Sequence, residues 1–406
     1  MAENISYLLQ YIRKTLGYNC VKELIIQNEP SYSFHVEGGA VDFDLYVACY
    51  KAMYKRLNDM GMGDIVLVGA DDSQNFGWFC SAVEALRDVC GKFNSHNYAW
   101  SYNHPFLDVV SQEFVSVRTA LAGDTPFFLG EFGDGSGIGA YYAASTETYG
   151  RGLYIASVVV NSFKAGAAGA SYWPLHDVYY YQGSVEPGTG AGDNGGLMGM
   201  GLIGYKKDGA WSFRPSYYAY GLLCNYIPFG SQLYNITGDT DHVVDTIAAK
   251  TPDGRWSVIA VNRSGAEQTL NISTGEAVGT MLNRYLFTES ALPTDGTMIA
   301  ASGRVAPADG VYSFTVPANS FVVLSSIGMS EQDMTVETAT ETESTTEPPV
   351  SATEPETADS VSDTATEATS GGCKSSFAGA AVIPALLTTV GAGVAAGKRK
   401  KARDNA

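Results

Sequence analysis

The first 230 residues alternate between short apolar runs and longer amphipathic stretches. Short runs that end in proline, glycine or an acidic residue are typical of parallel strands that are buried on both faces. Stretches with apolar positions three or four residues apart predict helices between these strands. The predicted strands are residues 24–29, 65–70, 93–98, 126–131 and 169–173, and the predicted helices are residues 4–16, 42–60, 79–89, 107–121, 149–164 and 216–226.

The hydrophobic pattern changes between residues 232 and 327, where apolar and polar positions alternate over short segments. Such alternation predicts antiparallel strands with one buried face. The clearest examples are residues 256–261, 268–272 and 312–316, and Asp-Gly turns occur at positions 253–254, 295–296 and 309–310. We therefore predict an all-β sandwich domain at residues 231–328, after an α/β domain at residues 1–230.

The C-terminal part of the chain has a different composition. Residues 329–372 are rich in Thr, Glu, Ser and Pro without apolar periodicity, which predicts a disordered stalk. Residues 377–397 contain no charge and are followed by four basic residues, so that residues 373–406 are predicted to form a transmembrane anchor with a basic cytoplasmic tail. A segment that is processed for attachment to the cell wall is the alternative. Either interpretation places the preceding domains on the extracellular face.

The chain is acidic, with a net charge of −18. Residues 331–370 contain 11 acidic and no basic residues, and residues 371–406 contain six basic and one acidic residue, which leaves −12 on residues 1–330. Because phosphate binding needs a basic surface, nucleic acid is excluded as a partner. The six cysteines have no paired spacing and the five histidines no ligand spacing. We therefore predict no metal and no cofactor.

Two glutamates stand at the ends of predicted strands. Glu29 follows the apolar run of residues 24–29 and precedes Pro30, and Glu131 closes the run of residues 126–131. They are 102 residues apart, close to the roughly 94 residues that three units of a (β/α)8 barrel occupy. Parallel strands three units apart would place both carboxylates on one rim. A carboxylate pair on this rim is the arrangement that glycoside hydrolysis requires.

Four short motifs occur in order at this spacing, namely Asn28-Glu29-Pro30, His96-Asn97-Tyr98, Gly130-Glu131-Phe132-Gly133 and Tyr172-Trp173. In this order the chain resembles the clan A glycoside hydrolases, and most of all glycoside hydrolase family 5, the cellulase-like family. The resemblance implies strands 4 to 8 of a (β/α)8 TIM barrel. It also implies that Glu29 is the acid/base and Glu131 the nucleophile of a retaining mechanism.

The same resemblance implies roles for four further residues. Asn28 would contact the sugar 2-hydroxyl, and His96 and Tyr98 would orient the nucleophile and the substrate. Trp173 would be a stacking platform, and a cis peptide bond is expected between Trp173 and Pro174. Next to these motifs, residues 71–73 are expected to form a loop on the active rim, in which Asp71 and Asp72 have a loop or helix-cap role or, as the alternative, bind sugar hydroxyls or a cation. Residues 175–204 are expected to form a long loop that is one wall of the substrate cleft.

The predicted barrel is incomplete, because three more strands would need about 94 residues before Glu29 and only 28 are present. We therefore expect an N-terminally truncated domain without the Arg that supports the nucleophile from the second strand of family members. Such a chain is expected to be poorly soluble and inactive as given, and to become active when its upstream part is added.

The sequence leaves two functions open. One is a monomeric retaining glycoside hydrolase that cleaves β-glycosidic bonds of a polysaccharide or oligosaccharide, in the manner of a cellulase or β-glucanase. The other is a non-catalytic cell-surface protein that binds glycans on a degenerate or truncated barrel. A metal-dependent hydrolase is disfavoured because no two histidines are spaced as ligands.

Overall fold

The computed structural model describes residues 1–32, 41–98, 104–133, 144–179, 197–205, 210–238, 243–273 and 280–334. All of these residues belong to one compact unit. The predicted anchor at residues 373–406 and nearly all of the predicted stalk lie outside the described residues. In the part of the chain that the structure describes, no helix is long and apolar enough to cross a bilayer.

A five-stranded parallel sheet forms the N-terminal half of the structure. Its strands are β1 Glu23–Leu24, β2 Val66–Ser73, β3 Lys92–Asn97, β4 Phe127–Phe132 and β5 Ala170–Tyr172, in spatial order β1-β2-β3-β4-β5. Each strand pairs in parallel with the next in sequence, so that all carboxyl ends meet at one edge. The predicted partial barrel of five consecutive strands is therefore present.

Helices connect the strands near the predicted positions: α1 Ala2–Gln10 with a π-helical extension Tyr11–Thr15, α2 Phe43–Asp59, α3 Phe76–Leu86, α4 Leu107–Ala122, α5 Tyr149–Lys164 and α6 Pro215–Tyr226. Side-chain caps fix the beginnings of two of them, because Asp42 accepts a hydrogen bond from the Leu45 amide and Asn75 from the Trp78 amide. The first cap marks the beginning of α2, which precedes β2, and the second marks the beginning of α3, which follows β2 directly.

The first strand is much shorter than predicted. It ends at Leu24, whereas the prediction extended it to Glu29. Backbone amides beyond it bond to side chains instead of a strand: Ile26 donates to the Tyr50 hydroxyl and Glu29 to the Asp71 carboxylate, at 3.4 and 3.2 Å. Side-chain acceptors thus replace the ladder, and the backbone turns at Glu29 with φ 43°.

The second strand is longer than predicted, since residues 71–73 continue it and do not form a loop. A β-bulge between Ala70 and Asp72 makes this possible, and Asp71 takes φ 50° there. Asp71 and Asp72 are consequently both buried. The acidic pair looked like a solvated loop in the sequence because strand interiors rarely hold two adjacent carboxylates.

The C-terminal half is a β-sandwich, as predicted. One sheet has the order β10-β11-β12-β17-β14-β15 and a second sheet pairs β13 with β16. The strands are β10 Gln232–Tyr234, β11 Val244–Lys250, β12 Trp256–Asn262, β13 Gln268–Ser273, β14 Leu282–Phe287, β15 Ala301–Val305, β16 Val311–Val316 and β17 Ser320–Ser325. The short helical segments Glu289–Ala291 and Glu331–Met334 complete it.

Helix α5 joins the two halves. It is buried over most of its length, and its residues share one hydrophobic cluster with β4, α6 and strands of the sandwich. Tyr149 at its start stacks on Phe287 with ring centroids 4.9 Å apart, and the Ser157 hydroxyl donates to Asp245 at 2.6 Å. The sandwich is thus packed as part of the same core as the parallel sheet.

The chain after β5 is held by a buried ion pair. The guanidinium of Arg214 bonds to both oxygens of Asp177, at 2.5 and 2.9 Å, and to Glu147 at 2.7 Å. Arg214 is 3% exposed, and Asp177 also accepts the amide of Gly201. These contacts fix the small hairpins β6 Val178–Tyr179 with β7 Leu197–Met198 and β8 Ile203–Tyr205 with β9 Trp211–Phe213. Residues 180–196 of the predicted cleft wall lie outside the described residues.

We predict that Arg214→Ala lowers the free energy of unfolding by about 3–5 kcal/mol, because it leaves the Asp177 carboxylate buried without its cation. Urea unfolding followed by tryptophan fluorescence measures the loss. Arg304→Ala is the matched control, because its pair with Asp333 is exposed and should contribute about 0–1 kcal/mol. Equal losses in the two variants would show that the Arg214 pair has no special role.

The free edge of β1 generates a second prediction. Only β2 pairs with β1 among the described strands, and the preceding helix exposes Leu8 and Tyr11 by 55% and 51%. Apolar surface beside an open strand edge favours self-association. We expect Leu8→Glu with Tyr11→Glu to lower the mass measured by light scattering. Phe229→Glu, at an isolated and 99% exposed site in the chain, should leave it unchanged.

Candidate active site

Glu29, His96 and Glu131 meet at the carboxyl edge of the parallel sheet. Glu131 lies in β4 opposite His96 in β3, and Glu29 follows β1. One carboxylate oxygen of each glutamate and one ring nitrogen of His96 all lie within 4.8 Å of one another. The two glutamates that the sequence placed on one rim are therefore neighbours.

His96 connects the acidic groups. Its Nδ1 lies 2.8 Å from Glu29 Oε1 and 3.4 Å from Glu131 Oε2, and its Nε2 lies 3.1 Å from Asp71 Oδ1. Burial lowers the pKa of His96, but the hydrogen bonds to Asp71 and Glu29 outweigh burial and raise the pKa to about 10. The ring is consequently an imidazolium at neutral pH, and both of its nitrogens donate to carboxylates.

Tyr98 holds Glu131 from the same strand face as His96. Its hydroxyl donates to Glu131 Oε2 at 2.8 Å, and its ring meets that of Trp173 edge to face at 6.3 Å. Burial, together with the negative charge of Glu131, raises the pKa of Tyr98 far above its ordinary value. The hydroxyl therefore remains a hydrogen-bond donor over the whole working range of pH. Gly133 is required beside it, because a Cβ there would lie 2.9 Å from the Tyr98 ring.

Opposing effects act on the pKa of Glu131, and together they raise it above its ordinary value. Burial raises the pKa of its carboxyl, and the charges of Glu29 and Asp71 raise it further. The His96 cation and the Tyr98 hydroxyl lower it. The ionised form that a nucleophile needs thus depends on these two donors.

The remaining predicted site residues differ in position. Trp173 is partly exposed next to Tyr98, and the Trp173–Pro174 peptide bond is cis, as predicted. Asn28 directly precedes Glu29 but is exposed. The structure therefore brings Glu29, Glu131, His96, Tyr98 and Trp173 together, and it leaves Asn28 on the surface beside them.

Two further buried residues belong to the site, although the sequence favoured a loop or cap role for one of them. Asp71 accepts hydrogen bonds from the Glu29 amide and from the Asn94 side chain, and its own amide donates to Asn94 Oδ1 at 3.0 Å. Asn94 in turn explains Gly130, where a Cβ would lie 2.3 Å from Asn94 Nδ2. The available signal was the position of Asp71, since it follows an apolar run just as Glu29 and Glu131 do.

The donor set of the site also bears on metal binding. Glu29, His96 and Glu131 are the one group of three metal-ligating side chains that converges among the described residues. Both ring nitrogens of His96 are engaged by carboxylates, so that the ring has no lone pair directed at a cation. We therefore interpret the cluster as a hydrogen-bonded acid–base site.

Family comparison identifies the sandwich. A model described as the glycosyl hydrolase family 30 beta sandwich domain matches residues 230–324. This range covers the strands from β10 to β17 except for the last residue, Ser325. No curated protein matches the chain by sequence.

Solved structures share the fold of both halves. SrfJ from Salmonella typhimurium aligns with a TM-score of 0.53 and 18% identity, over 80% of this chain and 61% of that one. The catalytic domain of the family 30 xylanase C from Talaromyces cellulolyticus aligns with a TM-score of 0.55 and 15% identity, over 80% of this chain and 66% of that one. An endo-beta1,6-glucanase aligns with a TM-score of 0.54 and 13% identity, over 80% of this chain and 63% of that one. The chain thus spans between 61% and 66% of the length of these three structures.

These comparisons correct one expectation and support another. The sandwich is similar to that of family 30, whereas the motifs at the strand ends had indicated family 5. Both families have the catalytic fold of clan A, so that the clan predicted from the motifs is supported. The chain combines a half-barrel parallel sheet with a following β-sandwich, an arrangement that fits part of the TIM barrel plus the sandwich of family 30 glycoside hydrolases.

Proposed function

We propose that this protein is a retaining glycoside hydrolase of the family 30 type that cleaves β-glycosidic bonds. The observation that carries the proposal is the close approach of the Glu29 and Glu131 carboxylates, which have oxygens within 4.8 Å. Inverting enzymes separate their carboxylates by about 6.5–9.5 Å to admit a water molecule, whereas retaining enzymes separate them by about 5–5.5 Å. The spacing of this pair favours double displacement.

The proposed chemistry uses the two glutamates in turn. Glu131 attacks the anomeric carbon while Glu29 donates a proton to the leaving oxygen, and a glycosyl ester forms on Glu131. Glu29 then removes a proton from the water that hydrolyses this ester. The Tyr98 hydroxyl and the His96 imidazolium stabilise the negative charge on Glu131 before attack and after release. Trp173 supplies a partly exposed ring against which a sugar face can stack.

The substrate we propose is a neutral β-linked polysaccharide or an oligosaccharide derived from it. The site itself holds three carboxylates around one histidine, and residues 1–330 carry a net charge of −12, so that an anionic glycan would be repelled. The similar structures carry names with different substrates, a xylanase and an endo-beta1,6-glucanase. We therefore include xylan and β-1,6-glucan beside the β-1,4-glucan that a cellulase-like enzyme would cleave.

A second candidate function is glycan binding without hydrolysis. One observation favours it. The described sheet has five strands, and its edge strand β1 is two residues long, so that the segment with Glu29 has a neighbouring strand of this sheet on one side only. A screen of xylan, β-1,6-glucan, cellulose and aryl β-glycosides distinguishes the two functions. Release of reducing sugar supports hydrolysis, whereas retention on an affinity gel without product supports binding alone.

We also propose that the protein is exported and held at the cell surface. The proposal is supported by the composition of residues 329–372 and by the uncharged residues 377–397 with their basic flank. Removal of residues 373–406 should release the protein into the culture medium, as measured by immunoblotting of cell and medium fractions. Unchanged retention on cells would contradict an anchor in this segment.

The first test of mechanism is Glu131→Gln. This change keeps the shape of the side chain but removes the nucleophile, so we expect the hydrolysis rate to fall by about 10⁴-fold or more. Glu84→Gln on the exposed face of α3 is the control and should retain full activity. Activity of Glu131→Gln within tenfold of the wild type would exclude Glu131 as the nucleophile.

The second test is Glu29→Ala with an activated substrate. A 2,4-dinitrophenyl glycoside needs no acid for departure of its leaving group, so that Glu131 should still form the glycosyl ester. Sodium azide should then increase turnover and give a β-glycosyl azide, detectable by NMR. An azide product of α configuration, or no effect of azide, would rule out Glu29 as acid/base of a retaining enzyme.

A further inference from the structure

Asp71 is a fully buried carboxylate at the sheet edge, with 1% exposure. It lies in the bulge of β2, where it contacts the backbone of Glu29, the proposed acid/base, and the ring of His96, which bonds to the Glu29 carboxylate. One oxygen accepts a hydrogen bond from the backbone amide of Glu29, and the other lies 3.1 Å from His96 Nε2. The opposite nitrogen of the His96 ring bonds to the Glu29 carboxylate at 2.8 Å. Glu29, Asp71 and His96 thus form a closed ring of hydrogen bonds.

The backbone at this ring is held in conformations that side chains rarely adopt. Ala70 and Asp71 have φ 66° and 50°, and Glu29 has φ 43°. Left-handed backbone at non-glycine residues is rare and clusters at functional sites. In this structure it turns the Asp71 carboxylate toward His96 and the Glu29 side chain toward the same ring. A carboxylate with only a packing role would not need this geometry.

We propose that Asp71 is a positioning residue that acts through His96 to set the pH range in which Glu29 and Glu131 work. The proposal rests on the proposed glycosidase function for its kinetic consequence, but its structural part can be tested without activity. Asp71 fixes the ring so that Nδ1–H faces the two glutamates. It also supplies the negative charge that keeps the ring cationic after the glutamates change protonation.

The negative charge of Asp71 matters because Glu29 must gain and lose a proton in each turnover. When Glu29 is protonated as the acid, it no longer stabilises the imidazolium by charge. When Glu131 carries the glycosyl ester, its charge is lost, but Glu29 has by then given up its proton. Asp71 is thus the carboxylate that faces the ring in both states, since Tyr98 is neutral and Asp72 bonds to Ser95 and lies near Arg118. A permanent counter-ion therefore keeps His96 charged through the cycle.

The sign of the expected effect follows from the charges around His96. The charged groups that contact it are Asp71 from β2, Glu29 after β1 and Glu131 from β4. Asp72 from β2 acts on it by charge alone, and Tyr98 after β3 is neutral. Asp71→Asn removes one anion, so that the ring loses its proton at lower pH. The charge of Asp71 also raises the pKa of Glu131, so that its removal lowers that pKa, and His96, with a pKa of about 10, is still cationic where Glu131 titrates. The acid limb of the pH–rate profile, set by Glu131, should therefore move to lower pH.

The experiment compares Asp71→Asn with Asp72→Asn in the full chain. Asp72 is equally buried and adjacent in sequence, but its carboxylate bonds to Ser95 and lies near Arg118. With the 2,4-dinitrophenyl glycoside that the wild type cleaves fastest, Asp71→Asn should shift the acid limb of kcat/KM to lower pH by about 1 pH unit. Asp72→Asn should leave the acid limb in place, whatever its effect on rate. A rate loss in Asp71→Asn with an unmoved acid limb would overturn the proposal.

A second measurement does not depend on turnover. Carbon-13 NMR of histidine-labelled wild-type protein, with the signal of His96 assigned through His96→Gln, reports the charge of each ring directly. His96 should remain protonated above pH 8, and its titration should move to lower pH in Asp71→Asn and by less in Asp72→Asn, whose charge acts on the ring without a hydrogen bond. Titration of His96 near its ordinary pKa in the wild type would overturn the proposal. Failure of the glycosidase screen alone would leave this result standing and would count only against the proposed function.

Discussion

The site depends on one buried cation that is shared by three carboxylates. Glu29, Asp71 and Glu131 come from three different segments, and without His96 their mutual repulsion in a desolvated pocket would force protons onto them. His96 is 2% exposed and contacts all three. The position of the imidazolium therefore determines where the ends of β2, β3 and β4 must lie relative to one another. Parallel strands satisfy this condition because their carboxyl ends meet at one edge.

Local backbone features then orient the groups of the site relative to the His96 cation. The bulge in β2 turns Asp71 inward, and Gly130 leaves room for Asn94, which holds the Asp71 amide. The register between β3 and β4 also shifts between Ser95 and His96, so that His96 faces Glu131 directly. Irregularities in two neighbouring pairings thus coincide with the proposed catalytic groups. This coincidence is expected where geometry at a site overrides the regular ladder.

The sequence predicted those parts of the site that regular structure determines. Glu29 and Glu131 follow apolar runs, and His96 and Tyr98 share a face because strand side chains alternate with period two. Asp71 follows an apolar run as well, but a role in the site was not favoured for it, because the bulge that turns its carboxylate inward leaves no sign in the hydrophobic pattern. The length of β1 was overestimated for a related reason, since side-chain acceptors replace the ladder there. The strand-end motifs supported the clan but not specifically family 5, and the match to a family model lies in the sandwich, which those motifs do not include.

The sandwich contributes to the site indirectly, through the hydrophobic core that it shares with the parallel sheet. Phe132, directly after Glu131, belongs to the same hydrophobic cluster as Ile247, Ile259 and Phe321 of the sandwich. Helix α5 lies between them, and its buried Ser157 bonds to Asp245 of β11. Because close-packed cores transmit displacement, loss of this packing would be felt at the end of β4, where Glu131 must stay within reach of Tyr98 and His96. The half-barrel and the sandwich therefore behave as one structural unit in holding the nucleophile in place.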